Sequence, residues 1–182
     1  MAAAPWSSLF AHDRPALIGV LHLPPLPGSP RWQGDFEAVR RFALADAAAY
    51  LAGGADGLVV ENFGDAPFFA SEVPPHTVAA MARIAAEVVE AAAGVPVGIN
   101  VLRNDAQAAM GIAAASGASF VRVNVLSGAM LTDQGLIEGQ AAELLRLRRQ
   151  LEATEVGIFA DVLVKHAYPL APNRSRKLWR IA

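Results

Sequence analysis

Short apolar runs alternate along this chain with longer stretches of helically spaced apolar residues, and glycines or prolines punctuate the boundaries. Residues 17–23, LIGVLHL, are closed off by Pro24, Pro25, Pro27 and Pro30, which forbid a helix directly afterwards. A first strand followed by a stiff loop through Trp32 is predicted. Over 36–51 the apolar positions recur at helical spacing, with Asp35 as N-cap and Gly53 and Gly54 as the stop. GLVVE at 57–61 predicts a second strand, and its loop, NFGDAPFFASEVPPH, is polar, aromatic and Pro-rich. The cycle repeats with a helix over 77–93, a stop at Gly94 and a strand over 97–101. Asn104, with Gln107 three residues on, gives a capping-box pattern for a helix that ends at Gly117. Strand 120–123 opens into a long polar loop carrying Asn124, Thr132, Asp133 and Gln134. A helix over 137–153 and a fifth strand over 156–164 complete the pattern.

Strands alternating with helices of this length imply right-handed crossovers and a parallel sheet. Side chains alternate between the two faces of a strand, so one face groups Ile18, Val20 and His22; Val59 and Glu61; Gly98 and Asn100; Arg122 and Asn124; and Asp161, Leu163 and Lys165. Every strand then turns a polar group to that face near its carboxyl end. This is the rim of a (β/α)8 barrel, where the active site is assembled from several strands. A doubly wound sheet places its ligand at one crevice behind a Gly-rich first loop, and LPPLPGSPRW is no flexible phosphate cradle. The expected fold is therefore α/β, a TIM-barrel-like parallel barrel. With about five βα units visible against the eight of a complete barrel, it is expected to be incomplete, its fifth strand an unpaired edge that favours aggregation or pairing with another chain. Residues 1–170 are assigned to this partial barrel and 171–182 to a basic tail.

Composition narrows the class. The chain has 182 residues, 54% hydrophobic and 18% charged, which suits one packed globular domain. Mean hydropathy is +0.33, but the surplus lies in Ala-rich helices and no apolar run approaches the roughly 18–20 residues of a membrane span. A net charge of −2 supplies no basic field for nucleic acid. The absence of cysteine removes disulfides, thiolate nucleophiles and Cys-ligated metal together, and fits a cytoplasmic protein. The first twenty residues lack a basic segment followed by an apolar core, so no secretory signal is expected. No P-loop, GxGxxG or GxSxG motif is present.

The candidate chemistry lies at the strand ends. Glu61 and Asp161 are carboxylates on separate strands that could face each other for acid/base work or hold a divalent metal, against the plainer reading that each pairs with a neighbouring cation. Lys165 suits an anion anchor or a partner for Asp161, and a Schiff base less well. His22 and His166 are candidate ligands or bases, with structural hydrogen bonding as the competitor. Asn62, Asn100 and Asn124 stand at equivalent strand ends, where amides suit a ligand but also suit turns. Arg103 and Arg122 offer bidentate recognition of phosphate or carboxylate, or a core salt bridge. The prolines from Pro24 to Pro30 read as a rigid rim loop in preference to a polyproline ligand. Arg174, Arg176, Lys177 and Arg180 in the tail read as a solvated terminus in preference to a nucleic-acid or membrane contact.

Five long segments resemble the BtpA family, also called BtpA/SgcQ: IGVLHLPPLPGSP at 18–30, GADGLVVENFGDAPF at 54–68, GINVLRND at 98–105, FVRVNVLSGAMLTDQGLIEG at 120–139 and FADVLVKHAYPL at 159–170. The resemblance covers nearly everything from Ala16 to Leu170. It implies a (β/α)8-type fold and the family's name-giving role, support of photosystem I biogenesis at the cyanobacterial thylakoid surface. Relatives in non-photosynthetic microbes make that role less than general. After Leu170 the sequence is expected to depart from the family, as from a truncated gene or frame change near Pro172. Two functions follow. One is a BtpA-like assembly factor that binds a protein partner or small ligand, as a possible homo-oligomer with at most peripheral membrane association. The other is an enzyme on the rim, acting on a small phosphorylated or carboxylated metabolite through Glu61, Asp161 and Lys165.

Overall fold

The computed structural model describes residues 9–10 and 14–171. Five parallel strands, β1 (Ile18–His22), β2 (Gly57–Glu61), β3 (Val97–Asn100), β4 (Phe120–Val123) and β7 (Gly157–Ala160), lie side by side in chain order. Four helices connect them: α1 (Phe36–Ala52), α2 (Pro75–Ala91), α3 (Ala106–Ser116) and α4 (Ala141–Gln150). Three further strands, β5 (Ala129–Thr132), β6 (Gly135–Glu138) and β8 (Ala167–Pro169), form a small sheet of order β6-β5-β8. The 171–182 tail, Ala171 excepted, lies outside the described residues.

Local chemistry sets the helix ends. Asp35 caps α1 by accepting from the Ala38 amide at 2.9 Å. Pro75 occupies the first turn of α2, where its missing N–H has no partner to lose. Gly117 ends α3 at φ 76°, the left-handed conformation that glycine adopts without strain. The start of α3 differs from the expected capping box. Asp105, not Asn104, is the N-cap, accepting from Ala108 N at 2.8 Å. Buried Asn104 instead accepts from Val125 N at 2.8 Å and donates to Val125 O at 3.0 Å, supplying both partners to backbone that has left the β4 ladder.

One face of the large sheet packs on all four helices. Leu21, Leu58, Val60, Ile99, Val121 and Val123 form a single apolar core with Val39 and Ala43 of α1, Met81, Ile84 and Val88 of α2, Met110 of α3 and Leu144 of α4. Strand order equal to chain order, with every helix on one side, is the singly wound plan of a barrel; a doubly wound sheet reverses its order and covers both faces. β1 and β7 are the outer strands of the sheet, so the barrel is not closed among the described residues.

The opposite face carries Val20, His22, Val59, Glu61, Asn100, Phe120, Arg122 and Phe159 by strict alternation. Its lower part is apolar. The Phe120 and Phe159 rings meet at 4.6 Å, and Phe120 lies so close over Gly98 that a Cβ there would stand 2.1 Å from the ring. Phe10 reaches Gly57 at the amino-terminal end of the same face. The polar groups therefore sit above an apolar plug.

Two expected elements are corrected. The stretch after Asn124 is not one loop, because β5 and β6 pair as a hairpin with Met130 opposite Ile137, and both bury against Val125 and Val164. Thr132 Oγ1 fastens its turn, accepting from Gln134 N at 3.1 Å and donating to Gly135 O at 2.9 Å. Ile137 is thus spent on the hairpin, and α4 starts at Ala141 instead of 137. Strand five ends at Ala160; Asp161 adds one more ladder bond, N–H to Val123 O at 3.0 Å, and the chain then turns away to form β8. Leu163 and Lys165 consequently leave the shared face and are exposed, Leu163 by 73%.

The contact at Gly98 yields a stability prediction. Gly98→Ala should cost about 1–3 kcal/mol in chemical denaturation through overpacking, and Gly98→Ala combined with Phe120→Leu should recover part of that loss.

Candidate functional site

Above the plug, five strand ends contribute to one connected polar network. Arg122 on β4 is its centre. Its Nε donates to Asp161 Oδ1 at 3.1 Å and its Nη2 donates to Asp161 Oδ2 at 3.0 Å, a bidentate pair just beyond β7. Its Nη1 lies 3.5 Å from Glu61 Oε2, which stands two strands away on β2. His22 on β1 brings Nε2 within 3.3 Å of Glu61 Oε1. Asn124 donates to Asp161 Oδ2 at 3.1 Å and accepts from Asn100 Nδ2 at 3.3 Å, and Asn100 Nδ2 also donates to the Arg122 carbonyl at 3.0 Å.

Parallel register makes this convergence possible. Glu61 is level with His22 on one side and with Asn100 on the other, so a short polar side chain at each strand end reaches its neighbour. The residues grade from buried to open. Glu61, Asn100 and Asn124 are buried, Arg122 and Asp161 partly buried, and His22 exposed. Phe63, in the turn after β2, stacks on the His22 ring at 4.4 Å and is half exposed, placing an aromatic wall beside the polar floor.

Burial raises the proton affinity of Glu61 above that of an ordinary carboxyl, against the opposing pull of Arg122 and His22. Arg122 is held still more firmly protonated by its hydrogen bonds to Asp161. The two carboxylates thus differ in environment. Asp161 is fully engaged by the guanidinium and Asn124, whereas Glu61 has ion-pair neighbours but accepts no hydrogen bond from the described residues. Arg122 occupies the space between the carboxylates, and no group of three His, Asp or Glu among the described residues is arranged to hold a metal ion.

The remaining predicted residues lie elsewhere. Asn62 is buried, and both ends of its amide are used within the chain: Oδ1 accepts from Leu102 N at 2.7 Å and Nδ2 donates to Asp65 Oδ2 at 3.1 Å. It ties the turn after β2 to the loop after β3. Asp161 is paired with Arg122 and not with Lys165, whose carbonyl accepts from Arg103 Nη2 at 2.6 Å while the residue itself is exposed. His166 is exposed, at φ 59°. Asp65 has a role the sequence reading missed. It accepts from Leu26 N at 2.8 Å, holding the proline loop after β1, and burial raises its proton affinity. A signal existed in the preceding Gly64, where a Cβ would lie 2.4 Å from Pro25 N; two backbones crossing that closely need a fastening.

A singly wound parallel α/β protein of the TIM-barrel type, with a charged network across the carboxyl ends of its strands, is the class these features define. The chain belongs to the BtpA family, whose model matches residues 13–178. Among its relatives is a photosystem I biogenesis protein BtpA of Synechocystis, 57% identical over 158 residues, which are 86% of this chain and 54% of that protein. An uncharacterized protein of Pyrococcus furiosus is 51% identical over 83% of this chain and 56% of its own length. An uncharacterized mitochondrial protein of Caenorhabditis elegans is 31% identical over 88% and 60%. The chain therefore spans little more than half the length of these relatives. Among solved structures, Burkholderia cenocepacia dihydropteroate synthase aligns with a TM-score of 0.44 at 18% identity, over 80% of this chain and 58% of that one. No helix among the described residues is long and apolar enough to cross a membrane.

The proton affinity of Glu61 sets the sign of a pH effect. Because the folded chain holds this proton to higher pH than the unfolded chain, the stabilisation is complete below the ordinary Glu range, about 4.3, and is lost as pH rises through the elevated folded value. Glu61→Gln should therefore gain stability relative to the parent as pH rises from about 4 to 7, measured by urea denaturation across that range, with no gain at the acid end.

Proposed function

We propose that this chain is a BtpA-family barrel protein that binds a small polar metabolite at the carboxyl rim of its strands, and that ligand binding underlies an assembly or biogenesis role of the kind named for the Synechocystis relative. One observation carries the reading: His22, Glu61, Asn100, Arg122, Asn124 and Asp161, from five different strand ends, form one linked polar network. A structural salt bridge needs only two partners. Six groups converging where barrels of this type bind their ligands support a recognition site. In this reading the protein acts in the cytoplasm, with thylakoid association confined to a cyanobacterial source. Its partner is a protein or a small molecule, not nucleic acid, and self-association remains part of the proposal.

An enzymatic reading gains support from one feature. Glu61 is a buried carboxyl of raised proton affinity beside an arginine, the environment of a general acid or base. Glu61 would then exchange the proton, Asp161 would hold Arg122 in place, and Arg103 and Lys165 would meet a phosphate or carboxylate at the outer rim.

Thermal-shift screening of the purified chain against metabolites and divalent metals tests both readings. A ligand that raises the melting temperature and loses its effect in Asp161→Asn and Glu61→Gln is the expected result. Indifference to every small molecule would instead favour recognition of a protein partner.

A further inference from the structure

The network is unequally satisfied, and the inequality points to a chemical class of ligand. Asp161 accepts three hydrogen bonds, from Arg122 Nε, Arg122 Nη2 and Asn124 Nδ2. Glu61, level with Asn100 in the β2–β3 register, accepts none from the described residues. Asn100 commits its amide N–H groups to the Arg122 carbonyl and to Asn124, and its Oδ1 is buried without any donor. Of the acceptors at these two adjacent strand ends, Asn100 Oδ1 is thus unfilled and Glu61 is held by ion pairs alone. A buried acceptor without a donor is unfavourable, so a ligand that supplies one gains affinity from it.

Resting on the ligand-binding reading above, we infer that the floor formed by Glu61 and Asn100 takes the adjacent hydroxyl groups of a polyhydroxylated ligand, a sugar or polyol. Three chemistries compete for such a floor. An anionic group would meet two carboxylates against one guanidinium. An ammonium would satisfy the acceptors but would have to sit beside Arg122, whose Nη1 is 3.5 Å from Glu61. A hydroxyl is uncharged and does both jobs, donating to Glu61 or Asn100 while accepting from Arg122, whose guanidinium has five N–H groups and places two of them on Asp161. Glu61 and Asn100 are level on neighbouring strands, whose backbones lie about 4.8 Å apart, so two hydroxyls of one ligand can address both. The flanking wall also fits. Half-exposed Phe63, stacked on His22, offers an aromatic face to the C–H side of a sugar ring.

The test is calorimetric titration of the 182-residue chain with ribose, xylitol, glucose and ribose 5-phosphate. Each sugar is compared with its 2-deoxy counterpart, and acetate, inorganic phosphate and methylamine are titrated in parallel. At least one hydroxylated compound should bind, with its deoxy counterpart weaker by about tenfold or more, because a site built to bond a hydroxyl is left unpaired by the analogue that lacks it. Glu61→Gln, which replaces one acceptor oxygen with a donor, should shrink that discrimination. Equal binding of each sugar and its deoxy form, or binding of acetate, phosphate or methylamine without any polyol, would overturn the inference while leaving a small-ligand site standing. No binding by any of these compounds overturns the inference too, and joined to an empty metabolite screen it would remove the ligand-binding reading as well.

Discussion

Arg122 holds the polar end of this molecule together. Glu61 and Asp161 are like charges drawn toward one mouth, and bringing both out of water without a cation between them would be strongly unfavourable. The guanidinium resolves this with geometry as well as charge, since its planar fork binds Asp161 bidentately while its remaining nitrogen faces Glu61. The pair is partly buried, so solvent screens it less than a surface ion pair, and Asn124 braces Asp161 from a second direction. Because Arg122 sits on β4, the contact to Glu61 crosses β3 and spans three strands of the sheet. Asn100 fills the intervening strand by bonding the Arg122 backbone.

That arrangement depends on how the chain winds. Four helices on one face leave the other face free to line an interior, and strand order equal to chain order brings consecutive carboxyl ends to the same edge. Phe120, Phe159 and Phe10 lie beneath the network on the same face of the sheet, and burial raises the proton affinity of Glu61. Above it, Asn62, Asn104 and Asp65 fasten loops to one another, so that the rim is held by side chains and not by sheet hydrogen bonds alone. The polar residues at the strand ends thus divide between a network facing the mouth and pins that shape it.

Much of this was legible in the sequence, and the failures have physical causes. Period-two alternation places Glu61, Asn100, Arg122 and Asn124 on one face, and the structure keeps them there because buried parallel strands leave no freedom to slip. Alternation could not show where strand five stops, since Val162 and Leu163 continue its apolar run; the chain turns at Asp161 to build β8 against the hairpin, and Lys165 leaves the mouth. The hairpin itself was hidden because AMLT and GLIE are four-residue segments, too short for periodicity to separate strand from loop or helix start. Asn62 looked like a ligand residue for the same reason as Asn100. Only the three-dimensional neighbours, Leu102 N and Asp65, reveal that its amide is already occupied. The choice between Asn104 and Asp105 as cap turned on tertiary demand, because Val125 needed a buried backbone partner more than the helix needed a second cap.

The central claim is that carboxylates from β2 and beyond β7 share one guanidinium. A double-mutant cycle of Glu61→Gln and Asp161→Asn, read by urea denaturation near neutral pH, tests it most directly. If Arg122 links the two, the losses and gains will not add, with a coupling energy of about 0.5 kcal/mol or more. Effects that add to within about 0.3 kcal/mol would mean that the two side chains do not share a network at all.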